Sequence, residues 1–85
     1  MSALQVYLVH QNRLRTIFKQ PSLDLTSAED RMQLAAGIDC QLSPENLTCD
    51  GELPQAAVQS RYRQLLAVAQ ELRVLDPKVK FHELD

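Results

Sequence analysis

Cys40, Cys49, His10 and His82 are the side chains in this sequence best suited to ligate a metal. Structural zinc sites supply their ligands in pairs about two to five residues apart, because one turn must aim two ligands at one ion. The closest two of these four, Cys40 and Cys49, stand nine residues apart. The spacing therefore predicts no metal site, and two buried thiols that behave as small hydrophobes. A Cys-His nucleophile built from Cys40 or Cys49 with His10 is equally unsupported, since no local charge or motif would lower either thiol's pKa. Asp50-Gly51-Glu52 lacks the alternating oxygen ligands of a calcium loop and reads as turn chemistry. Glu45 and Asp50 read as solvated loop acids rather than a catalytic carboxylate pair. Asn46-Leu47-Thr48 matches a glycosylation acceptor, which matters only in a secreted protein. The expectation is a protein with no catalytic residue and no cofactor.

Charge is more informative in its distribution than in its total. Nine Lys and Arg stand against eleven Asp and Glu, a formal charge of -2, which disfavours nucleic acid as the main partner. Between Met32 and Ser60 there is no basic residue, and Asp39, Glu45, Asp50 and Glu52 make that stretch acidic. Such a stretch is either neutralised by packing beside basic helices or forms an acidic face for a basic partner. Arg13, Arg15, Lys19, Arg61 and Arg63 would form a basic patch if the first and last helical segments lay side by side, with Tyr7 and Tyr62 near it. Met1 is followed by a mixed segment rather than a basic start and an apolar run, so a cytoplasmic protein with reduced thiols is expected. No apolar run approaches the roughly 20 residues that span a bilayer, and no membrane association is expected.

The elements that position these residues follow from periodicity and punctuation. Leu4, Tyr7, Leu8, Leu14, Ile17 and Phe18 recur at helical spacing and predict an amphipathic helix over 3–19, with a hairpin about Gln11-Asn12 as the rival. Thr26 and Glu29 form a capping-box pair that predicts a second helix, ending near Gly37. Ser43-Pro44-Glu45 predicts one helical turn through Leu47 within an otherwise ordered loop, and Asp50-Gly51 a turn. Pro54 opens the longest helix, and Asp76-Pro77 closes it. Its apolar positions Val58, Tyr62, Leu65, Leu66, Val68, Leu72 and Leu75 form a broad face that is either covered within one monomer or forms a dimer seam or partner groove. Residues 78–85 read as a tail that frays, with Val79 and Phe81 alternating against Lys78 and Lys80. The sum is one all-α domain over 1–85, a small antiparallel bundle of three helices plus a helical turn.

The stretch Leu42 to Leu53, LSPENLTCDGEL, followed by SRYRQLL at Ser60 to Leu66, resembles short uncharacterised proteins of bacteria, their phages and mobile elements. The likeness covers about a quarter of the chain, and it implies a bacterial or phage origin and a role in binding rather than catalysis. No residue role carries over from it. The residues themselves favour a small protein-protein interaction module, a regulator or inhibitor, that binds another protein or itself as a homodimer. The expected contact residues are Asp39, Glu45, Asp50, Glu52, Tyr62 and Arg63. The alternative is a helical DNA-binding regulator using Arg13, Arg15, Lys19, Arg61 and Arg63, whose affinity would fall steeply with salt.

Overall fold

The computed structural model describes residues 1–47 and 54–85, among which there are four helices and no strand. Ser2 starts α1 (Ala3–Ile17) with a complete capping box: its hydroxyl accepts the Gln5 amide at 3.2 Å, and the Gln5 side chain accepts the Ser2 amide at 3.1 Å. The helix stops in a Schellman turn. The Gln20 amide donates to the Arg15 carbonyl and the Lys19 amide to that of Thr16, with Lys19 at φ 57° in the left-handed position that glycine usually fills. Asn12 then pins the connection that follows, accepting the Leu23 amide at 2.8 Å and donating to the Leu23 carbonyl at 3.1 Å. Leu23 is thereby held in the core.

Ser27, one residue after the expected cap, opens α2 (Ala28–Leu42) by accepting the Asp30 amide. Gly37 does not end this helix. Ile38 and Leu42, both past Gly37, lie one turn apart on the face that packs inward, and burying both outweighs the roughly 1 kcal/mol that a mid-helix glycine costs. Part of the segment expected as loop, Asp39 to Leu42, is therefore helix. Ser43 and Pro44 then begin the single turn α3 (Pro44–Leu47), which buries Leu47. The remainder of that expected loop, 48–53, lies outside the described residues. Pro54 precedes α4 (Gln55–Leu75), and the extended backbone of Asp76 before Pro77 ends it, as its sequence predicts.

The longest helix is the spine. α1, α2 and α3 each pack on α4, whereas the backbones of α1 and α2 stay apart and meet through side chains, Gln41 to Tyr7. Arg31 in the first turn of α2 meets Asp76 just past the end of α4, its Nε 3.0 Å from the carboxylate, so these two helices run antiparallel. The same guanidinium donates to the Leu25 carbonyl at 2.8 Å and ties the preceding connection down. The result is the small all-α bundle the periodicity predicts.

The segment after α4, read from sequence as a fraying tail, packs into the core instead. Val79 and Phe81 are buried, Phe81 at 1 % exposure. Their alternation with Lys78 and Lys80 is that of an extended strand with one face inward. Asp39 accepts the Glu83 amide at 2.9 Å, Asp85 accepts the Phe81 amide at 3.1 Å, and the Arg73 guanidinium pairs with Asp85 while lying 5.2 Å from the Phe81 ring centre. Burying Phe81 fixes this segment more than any of these polar contacts does.

Candidate functional site

Helical geometry sets the site. At 100° per residue, Gln64, Ala67, Val68 and Glu71 form one stripe of α4, with Arg61 and Arg63 on its two edges. α1 approaches this stripe at its N-terminal end, where Glu71 accepts the Leu4 amide. Leu4 is the one fully buried residue of α1; Ala3, Tyr7 and Leu8 are partly buried against the core. Beyond this attachment the two helices leave a groove of about 670 Å³.

Met1, Ala3, Val6, Leu65, Ala67 and Val68 supply the apolar lining of the groove. Tyr7, His10, Gln41, Arg61, Arg63 and Gln64 supply its polar groups, and no carboxylate of the described residues lines it. Gln41 of α2 donates its amide to the Tyr7 hydroxyl at 2.8 Å, which closes one end of the groove with a neutral hydrogen bond. Burial pushes the Tyr7 phenol above its ordinary pKa, and the hydrogen bond from Gln41 only partly opposes it. Tyr7 is therefore a neutral donor at physiological pH, fitted to orient a ligand and unfitted to act as a base.

The residues singled out from sequence fall in different places. Arg63 borders the groove, whereas Tyr62, part-exposed on α4, does not line it. Asp39 sits on α2 and is taken up by the Glu83 amide, so it holds the chain's own last segment. Glu45 is exposed on α3, apart from the groove lining, and Asp50 and Glu52 lie outside the described residues. Of the five basic residues considered together, Arg61 and Arg63 reach the groove. Arg15 is turned into the Schellman turn, where its Nε donates to the Pro21 carbonyl at 2.6 Å. Cys40, expected to be buried, is exposed at the end of α2, because the inward face there is taken by Ile38 and Leu42; Cys49 lies outside the described residues.

The apolar faces also divide. In α4, Leu65, Val68, Ala69 and Leu72 are buried and Val58 and Leu66 half-buried, while Tyr62 and Leu75 remain exposed. The monomer therefore covers most of the C-terminal half of that face. In α1 the second half of the expected stripe turns outward: Leu14 is exposed, and Ile17 and Phe18 are each 71 % exposed. Sequence reasoning missed the α1 wall of the groove, Met1, Ala3, Val6 and His10, because these residues fall between the stripe and the polar face and only the divergence of two helices makes them a surface.

Among the described residues no group of three or more His, Cys, Asp or Glu could hold a metal ion, and no helix is long and apolar enough to cross a membrane. No family model, curated protein or solved structure matches this chain.

Proposed function

We propose that this chain is a small protein-binding module, a regulator or inhibitor of another protein, and that its contact surface is the α1/α4 groove. The observation that carries this reading is the groove itself, an apolar trough edged by polar groups. Ligand-binding surfaces commonly combine an apolar lining with a few placed polar groups. The groove follows α4 from Arg61 to Val68, a length of about 10 Å at the helical rise, and so takes side chains in a row. Exposed Val6 on its wall, 54 % accessible, is apolar area that a partner would cover.

The test is chemical-shift mapping on the labelled protein with an amphipathic peptide that carries leucines on one face and neutral glutamines on the other. Shifts confined to Ala3, Val6, Ala67 and Val68, lost in a Val6→Asp variant, are the expected result. A peptide that perturbs only α2 and α3, or nothing, refutes the reading. The DNA-binding alternative predicts a continuous basic face. Here the two arginines border apolar side chains, and Arg15 is engaged within its own turn.

A further inference from the structure

We propose that the occupant of the α1/α4 groove is an acidic amphipathic helix of a partner protein, a proposal that rests on the groove being the contact surface. Of the six arginines, Arg15 is engaged by the Pro21 carbonyl and Arg13 lies away from the groove, and the other four separate into two kinds. Arg31 and Arg73 form ion pairs with Asp76 and Asp85, within the chain's own architecture. Arg61 and Arg63 form no ion pair among the described residues, and both border the groove. With no carboxylate of the described residues in the lining, the groove presents two guanidinium groups without an acidic neighbour there, around an apolar floor. Guanidinium forks match carboxylates in bidentate geometry, so a segment with leucine-like residues inward and Glu or Asp along its edges complements both features.

The backbone of that segment follows from the fold. Among the described residues there is no strand, hence no sheet edge to which an extended peptide would add. Recognition by strand addition is closed, and the mode left to a trough between two helices is a helix laid in a groove by its i, i+3, i+4, i+7 side chains. A nucleic-acid strand shares the negative charge but fits the floor poorly. Among the described lining residues only Tyr7 and His10 carry aromatic rings, both on α1, too few for a series of stacking platforms along a strand.

Three labelled peptides of about 14 residues, long enough for four helical turns, test the proposal by fluorescence anisotropy. They share one leucine face and differ in carrying Glu, Gln or Lys elsewhere. The Glu peptide is expected to bind about 10-fold more tightly than the Lys peptide, and its advantage to shrink several-fold between roughly 50 and 500 mM salt. The doubly reversed variant Arg61→Glu/Arg63→Glu, both at exposed positions, is expected to invert that preference while its circular dichroism and melting curve stay unchanged. Equal binding of all three peptides overturns the acidic occupant and leaves the groove reading standing, whereas binding of none overturns both. Displacement of the Glu peptide by a stoichiometric single-stranded oligonucleotide also overturns the proposal in favour of nucleic acid. Self-association of the protein that blocks peptide binding overturns it in favour of a second copy.

Discussion

Two helices of equal length are used in opposite ways. α1 and α2 are each fifteen residues long, yet α2 buries Leu34, Ala35, Ile38 and Leu42, whereas α1 buries Leu4 alone. The difference is not one of composition, since α1 carries Val6, Val9, Leu14 and Ile17, all of them exposed, and Phe18 just past its end is exposed too. α2 is held because its partners come from several directions: α4 along its length, α3 at its end, and the segment of Val79 and Phe81 beside it. α1 packs on α4 near Leu4 and reaches α2 through one side-chain hydrogen bond, Tyr7 to Gln41, with Asn12 tethering its second half to the connection. One helix completes the core; the other is carried by the core as a surface.

Removing the piece that most favours α2 is the strongest way to break this contrast. Phe81→Ala is expected to cost about 3–5 kcal/mol, a large part of the stability of so small a domain, and to lower the midpoint of urea unfolding accordingly. A matched pair sharpens the contrast directly. Ile38→Ala is expected to cost about 2–5 kcal/mol, while the same change at Ile17 stays within roughly 0.5 kcal/mol, both read from denaturant midpoints. Similar losses at the two sites would show that Ile17 is covered in solution.

Acid titration probes the joints at the end of α4, to α2 through Asp76 and to the last segment through Asp85. Hydrogen bonds from Arg31 and from the Lys78 amide hold the Asp76 carboxyl below its ordinary pKa. Hydrogen bonds from Arg73 and from the Phe81 amide do the same for Asp85. A depressed native pKa contributes stability that is present above the unfolded value, about 3.9, and lost as pH falls through the native one. Melting temperature is expected to fall below about pH 4, and Asp76→Asn to flatten that decline. A variant with an unaltered acid profile would place the acid sensitivity elsewhere.

The smallest expected effects come from the two backbone positions where the helices depart from preference. A Cβ added at Gly37 meets nothing within 4 Å, so Gly37→Ala is expected to stabilise α2 by about 0.5–1 kcal/mol. Lys19→Gly relieves the left-handed conformation at the end of α1 and is expected to gain less than about 1 kcal/mol, seen as a slightly raised melting temperature.

Local signals were sufficient wherever the physics is local. Ser43-Pro44, Pro54 and Asp76-Pro77 mark element ends by sterics and capping alone, and the α3 turn and the limits of α4 are legible from them. Reading failed where a distant contact decides. Gly37 is a stop signal by itself and becomes mid-helix only because Ile38 and Leu42 find α4. The tail at Val79 and Phe81 reads as exposed until an unfilled site beside α2 is known, although the alternation of those residues with lysines was its trace. Of the candidate contact residues, Arg63 lines the groove and Tyr62 does not, while Asp39 receives a backbone amide from 44 residues away, a contact with no one-dimensional signature.

The span of these closures bears on how quickly the chain folds. Leu4 and Glu71 are 67 positions apart, Arg31 and Asp76 are 45, and Asp39 and Glu83 are 44. Helical bundles usually fold fast because their contacts are close in sequence, and loop closure becomes entropically dearer as the separation grows. Here the core stays open on one side until residues 79–81 arrive. Folding is expected to be slower than helix content alone suggests.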